Sequence, residues 1–389
     1  MIPSDDTVRQ LRKKAKQAAE LTKDALRKGT PCVVRFNNDA DGASSGMLVQ
    51  RALQHFVEHE KIPQKLKLVR GLQANTSTYS HELAIKDAAL AHDLGRKTVV
   101  ICTDFAGNSE SLQGMNEARE SGIQIIVFDH HPCDAKLVAG ACDALVDPFE
   151  FVQDAGASHY TTGLLTFLFL EEFKKPDKDD ERLLKTSLYA DVSRFAYGGK
   201  KPPEKEILKA LMGHDAPGWL ALDFLTFSTN DDTPLEYYWK DFKDEAKIKR
   251  LHDTATIGLK RAVEKAKPFD KVQQLPNGVE LHVLNLDKVL IKKKWPPRGH
   301  FLTAFYLSQS EGAPAVAIGY GNDGRASFRA TEKALKLGFD ASRIIAKLKK
   351  EFPHAILSGG GHPPAAAFAT NTLHFQQVLE RTIELSGNS

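Results

Sequence analysis

Acidic clusters stand just past short apolar runs at four places along this chain. Asp39-Ala40-Asp41 follows Cys32-Val33-Val34, and Asp104 follows Val99-Val100-Ile101-Cys102. Asp129-His130-His131 follows Ile125-Ile126-Val127-Phe128, and Asp191 follows Ser187-Leu188-Tyr189-Ala190. The first three runs read as buried strands of a parallel sheet, and open α/β sheets gather ligands outside the carboxyl ends of their strands. Carboxylates and imidazoles from separate strand ends therefore converge on one crevice. Several carboxylates in one place repel one another unless a cation neutralises them, so the arrangement predicts bound divalent metal.

A chain of 389 residues can hold two ordinary domains. The pattern alternates strand and helix from 31 to 195: strands at 32–36, 66–70, 98–103 and 123–128, helices at 43–60, 80–94, 109–121 and 163–173. This βαβ rhythm predicts an α/β fold, a doubly wound, mostly parallel sheet with helices on both faces, over residues 1–195. A further helix from about 181 delivers Asp191, which then sits on a helix end or loop. Residues 196–270 read as a helical connector, in which Tyr237-Tyr238 and Trp239 suit helix packing better than base stacking. Residues 271–389 read as a smaller α/β domain with strands at 280–285, 314–320, 325–330 and 365–369, the last preceded by a glycine loop at 358–361.

Charge excludes one class of partner. Lys plus Arg number 53 against 50 Asp plus Glu, formally +3, too balanced for a protein that coats long duplex by charge alone. The four cysteines, Cys32, Cys102, Cys133 and Cys142, show no C-x-x-C spacing, and the first two fall in core strands as buried thiols. No apolar run approaches the ~18–20 residues of a membrane span. The first residues lack the charged-then-apolar pattern of a secretion signal, so a soluble, cytoplasmic protein is expected.

Asp129-His130-His131-Pro132, with Asn38-Asp39-Ala40-Asp41-Gly42 upstream and Asp191 downstream, resembles the DHH phosphoesterases. Ser358-Gly359-Gly360-Gly361-His362-Pro363-Pro364-Ala365-Ala366-Ala367 resembles the glycine-rich signature of the DHH-associated C-terminal domain. The resemblance implies a metal-binding catalytic domain at 1–195 and a substrate-binding domain at 271–389. It further implies two divalent ions, with Asp104 as the bridge, Asp39 on the first, and Asp41, His130 and Asp191 on the second. Oxygen-rich ligands with an imidazole suit Mn²⁺ or Mg²⁺, and the His favours Mn²⁺. Asp129 is expected to support its neighbours rather than bind metal, and His131 to face the scissile phosphate or leaving oxygen. In the C-terminal domain, Ser327 and Arg329 would meet a terminal phosphate, and Gly359, Gly360, Gly361 and His362 would grip the terminal nucleotide.

One position departs from the family. Where its members commonly carry a His, four residues before the first Asp, this chain has Arg35, which cannot ligate a cation. Asn37 or Asn38 could substitute only weakly, through an amide oxygen. The first ion would then bind only with substrate or at high Mn²⁺, or turnover would be slow.

The resulting expectation is a Mn²⁺-dependent exonuclease acting on single-stranded RNA or DNA, or on short oligonucleotides. Alternatives are a pAp phosphatase or cyclic-dinucleotide phosphodiesterase, and a non-catalytic scaffold in a replication or repair assembly. A homo-oligomer or a replication or repair partner is compatible with the sequence. Lys292-Lys293-Lys294-Trp295 offers lysines for phosphates and an indole for stacking, or else a solvated loop.

Overall fold

The buried β-branched runs become strands sheathed by helices on both faces, as a parallel sheet requires. The computed structural model describes residues 2, 4–62, 68–93, 97–153, 156–200, 202–213, 218–289, 295–310 and 312–387. The N-terminal elements are α1 (Asp6–Arg27), β1 (Cys32–Asn37), α2 (Ala40–His59), β2 (Val69–Ala74), α3 (His81–Asp93), β3 (Val99–Thr103), α4 (Leu112–Glu120), β4 (Gln124–Phe128), α5 (Ala135–Ala141), β5 (Ala144–Val146), α6 (Thr162–Glu171) and α7 (Lys178–Ala190). Then come α8 (Glu204–Met212), α9 (Trp219–Ser228), α10 (Leu235–Lys243) and α11 (Glu245–Ala266). The remainder is β6 (Lys271–Gln274), β7 (Glu280–Asn285), α12 (Leu286–Val289), α13 (Arg298–Gln309), β8 (Ala315–Tyr320), β9 (Arg325–Ala330), α14 (Glu332–Lys336), α15 (Ala341–Glu351), β10 (Ile356–His362), β11 (Ala365–Thr370) and α16 (Phe375–Gly387).

Two compact units result: residues 1–202 with 217–249, and residues 203–216 with 250–389. The stretch 196–270, expected as a connector, is divided between them. Helices α9 and α10 belong to the first unit, and α8 to the second.

The first unit holds a five-stranded sheet in the order β2-β1-β3-β4-β5, all parallel. Strand β1 pairs with β2 on one side and β3 on the other, so the winding reverses at β1. That reversal is where doubly wound sheets open a crevice beyond their carboxyl ends. Residues 66 and 67 of the expected second strand lie outside the described residues, and β2 itself runs to Ala74. Helix α10 packs on this sheet: Tyr238 is fully buried, its ring edge-on to Phe36 at 5.8 Å and its hydroxyl donating to the Gln73 side chain. Packing, not stacking on a base, is its use.

Arg35 is among the largest fully buried side chains. It donates to Asp87 of α3 at 2.6 and 3.0 Å and also to Asp232, while the Tyr79 hydroxyl donates to the other Asp87 oxygen at 2.8 Å. Burial works against the guanidinium's charge, but Asp87 and then Asp232 outweigh it and keep it ionised.

The second unit is built on a six-stranded mixed sheet, β10-β11-β9-β8-β7-β6, parallel only between β7 and β8. Its core packs Leu281, Val316, Ile318, Phe328, Ile344, Leu348 and Val378. The expected glycine loop at 358–361 is instead the interior of β10, and the chain turns at Pro363-Pro364. Trp295 is buried, donating its indole N–H to the Ala255 carbonyl at 3.0 Å, so it is no stacking platform. Lys292, Lys293 and Lys294 lie outside the described residues.

Candidate metal centre

The site begins where β1 ends. Asp39 caps α2, its Oδ1 accepting the Gly42 N–H at 2.8 Å, which satisfies a donor that the helix leaves free. Gly42 has no alternative there, because a Cβ would fall 2.5 Å from the Asn37 carbonyl oxygen. Asn37 Nδ2 donates both to Asp39 Oδ2 at 2.9 Å and to Asp104 Oδ2 at 3.2 Å. Asp223, from α9, accepts the Ala40 N–H.

Asp41 is held from the far side by the start of α6. Thr162 N–H and Gly163 N–H donate to its two oxygens at 2.9 and 2.8 Å. The positive end of the α6 dipole thus meets a buried carboxylate. Asp104, just past β3, adopts φ 66, a left-handed conformation that Asp tolerates better than most side chains. Its Oδ1 accepts the Thr162 hydroxyl at 3.1 Å.

His130 completes the cluster. Its Nδ1 donates to the Ser158 carbonyl at 2.9 Å, which leaves Nε2 as the ring atom facing the carboxylates. Nε2 lies 3.0 Å from Asp191 Oδ2, 3.4 Å from Asp104 Oδ1 and 3.7 Å from Asp41 Oδ2. One donor atom from each of Asp41, Asp104, His130 and Asp191 falls within 4.8 Å of the others. Asp191 caps the carboxyl end of α7, as a helix end rather than a strand.

Burial, then the neighbouring Asp104 charge, pushes the Asp39 and Asp41 carboxyls well up from their usual range. At Asp104 burial pushes the same way, but the His130 and His131 imidazoles outweigh it and hold the carboxyl at about 2. Three carboxylates and an imidazole nitrogen directed at one volume fit a divalent ion of the Mn²⁺ or Mg²⁺ kind. The Ser158 carbonyl behind His130 is the supporting bond that metal-ligating imidazoles use.

Asp129 points away from this volume. Its Oδ1 accepts from the His130 N–H, the His131 N–H and His131 Nδ1 at 2.8, 3.3 and 2.7 Å, and its Oδ2 accepts the Gly107 N–H at 2.7 Å. It therefore sets the orientation of both histidines. His131 is half exposed, with Nδ1 4.0 Å from Asp104 Oδ1. Burial opposes its charge, but Asp129 prevails and lifts its pKa to about 9.

A further carboxylate, Asp147, closes β5. It is wholly buried, accepting from the Phe149 N–H at 2.7 Å and the Cys133 thiol at 3.3 Å. Burial, then the Asp129 charge, pushes its pKa up to about 8. Unfolded, the group ionises near ~4, so its contribution to stability is complete below that pH and is lost as pH rises toward 8. Asp147→Asn should therefore raise the melting temperature by an amount that grows from pH 4 to 8 and then levels off, read by calorimetry across that range.

Four candidate residues of the second unit, Ser327, Arg329, Gly360 and His362, share one face of its sheet. Ser327 of β9 pairs with Ala367 of β11, which pairs with Gly360 of β10. Two residues on, Arg329 pairs with Ala365, which pairs with His362. Small alanines thus lie between Ser327 and Arg329 on one side and Gly360 and His362 on the other. Gly299 leaves room for the Arg329 guanidinium, since a Cβ there would fall 2.4 Å from Nη2. Arg329 donates to its neighbour's carbonyl, Phe328 O, at 2.7 Å. Among the described residues no carboxylate pairs with it, and burial lowers its pKa. Gly359, facing oppositely, packs on Phe368, and Gly361 takes φ 131. Sequence reading missed Thr162, Gly163, Ser158 and Asp223, which hold the ligand side chains from distant segments. Thr161-Thr162 ahead of an apolar run was their only local signal, and it marks a helix start rather than a site.

Residues 32–191 match the DHH family, N-terminal domain. An uncharacterized protein of Methanocaldococcus jannaschii is 25% identical over the whole of this chain, which spans 55% of that relative's length. Among solved structures, a DHH domain described as belonging to a family of ribosomal proteins superposes with a TM-score of 0.81 at 18% identity, covering 99% of this chain and 93% of that one. The exonuclease RecJ bound to manganese superposes with a TM-score of 0.54 at 16% identity, covering 97% and 95%. At these identities the two structures establish the fold. Residues 32–191 thus match the DHH-family N-terminal domain, and both superpositions agree with a DHH-type fold.

Proposed function

We propose that this chain is a Mn²⁺-dependent phosphodiesterase that acts as an exonuclease on single-stranded RNA or DNA, or on short oligonucleotides, releasing mononucleotides. The observation that carries the reading is the convergence of Asp41, Asp104, His130 and Asp191 with His130 Nε2 directed inward. Those residues would hold one ion, and Asp39 with Asp104 a second, weaker one. Divalent ions supply a water of lowered pKa and neutralise charge on phosphorus. The protein's own contribution is then orientation and a proton. Asp129, 2.7 Å from His131 Nδ1, orients the imidazole and favours its protonated form, so that it can donate to a leaving oxygen. Ser327 and Arg329 would take a terminal phosphate, the guanidinium being unpaired by any described carboxylate, and Gly360 and His362 would line the place of the nucleotide. The manganese of the RecJ structure supports the choice of ion.

Mn²⁺-dependent digestion of end-labelled RNA and DNA of two to about twenty nucleotides, beside pAp and a cyclic dinucleotide, tests the proposal. Stepwise shortening of the longer strands is expected. Turnover of only the small molecules would replace the exonuclease by a nucleotide phosphodiesterase, and no product from any substrate would favour the scaffold.

A further inference from the structure

The Asn37 side chain stands where two carboxylates meet. Its one amide nitrogen donates to Asp39 Oδ2 and to Asp104 Oδ2, using both hydrogens. Its orientation follows from the third bond: Oδ1 accepts the Asn38 N–H at 2.9 Å. Turning the amide over would set NH₂ against that N–H and an oxygen against two carboxylates, losing three hydrogen bonds at once. Asn37 therefore offers hydrogens, not a lone pair, to the gap between Asp39 and Asp104. Arg35, earlier on the same strand, cannot change this, because its guanidinium is engaged by Asp87 and Asp232.

We infer that the Asn37 amide is a built-in stand-in for the first cation. It makes this a centre that holds a single divalent ion tightly, with a second entering only by displacing the amide. The inference rests on the metal-dependent reading above and narrows it. The tight position is the one framed by Asp41, Asp104, His130 and Asp191, where His130 Nε2 faces the three carboxylates. At the other position, the two negative oxygens that would attract an ion are already bridged. An ion arriving there must break two hydrogen bonds and leave the amide to rotate against Asn38. The residue at 37 thus sets the number of ions bound, and a carboxylate there would add a ligand where the amide supplies a donor.

Calorimetric titration of the full chain with Mn²⁺, together with the electron paramagnetic resonance of the bound ion, decides the matter without reference to turnover. The wild type should take up one Mn²⁺ with the signal of an isolated ion. Asn37→Asp should take up two and show the broadened spectrum of a coupled pair. Asn37→Ala, which removes the donor without adding charge, should bind its second ion about tenfold more tightly than the wild type, the scale on which neighbours of metal ligands act. Two ions of equal affinity in the wild type, unchanged in both variants, would overturn the inference and leave the metal-dependent reading standing. A wild-type chain that binds no Mn²⁺ by either measurement would overturn both.

Discussion

Replacing Asp104 by Asn should reduce Mn²⁺-dependent strand cleavage about 10³-fold, the upper range for removing one charge-stabilising group from an active site. Asn is the informative choice because residue 104 has φ 66, a conformation Asn adopts readily and Ala does not. Asn also keeps an oxygen for the Thr162 hydroxyl while removing the negative charge that belongs to both candidate donor groups. Two readouts separate loss of chemistry from loss of fold. Thermal unfolding in metal-free buffer should stay cooperative at a somewhat lower midpoint, because the His130 and His131 imidazoles favour the ionised carboxylate that Asn lacks. Stabilisation by added Mn²⁺ should shrink, because a ligand stabilises the folded state only in proportion to its affinity. An Asp104→Asn protein that cleaves at the wild-type rate would remove Asp104 from the reaction.

The second large effect lies away from the metal. Arg35→Met should cost about 3–5 kcal/mol of unfolding free energy, measured by urea titration, because it leaves a buried charge without its partner. The stranded group is Asp87, whose side chain is 0% exposed and would retain only the Tyr79 hydroxyl. Replacing both residues, Arg35→Met with Asp87→Met, should recover most of the loss, since apolar side chains of similar volume often replace a buried ion pair without penalty. If the single variant is as stable as the wild type, the pair is not the tie between β1 and α3 that its geometry implies.

Much of the first unit was legible because each of its central strands carries an apolar run with a carboxylate within a few residues of its end. Such a run can only be buried, and the residue after it can only lie at the sheet's edge. Strand β5 escaped notice because three residues, Ala144–Val146, carry no period to read. Strand β10 escaped for a different reason. Glycines bring no side chain to pack and weaken a strand, so Gly359-Gly360-Gly361 reads as a loop until β11 supplies the hydrogen bonds. The clustering of Asp41, Asp104, His130 and Asp191 follows from strand and helix ends meeting, and their motifs announced it. Asp223 and Thr162 had no such announcement. Each reaches the site across a long sequence separation, and a hydrogen bond between distant segments leaves no spacing in the chain. The departure at Arg35 was visible, but its consequence was not. The guanidinium is a structural tie, and the residue that enters the site from β1 is Asn37.

Helix α6 is apolar on all sides and buried from Thr162 to Leu170, yet its first two N–H groups end on Asp41. A carboxylate secured by a helix terminus has a permanent, if partial, counter-charge that is part of the backbone. Part of the charge that an ion would neutralise is thus met by the backbone itself, unlike small domains whose metal is their core.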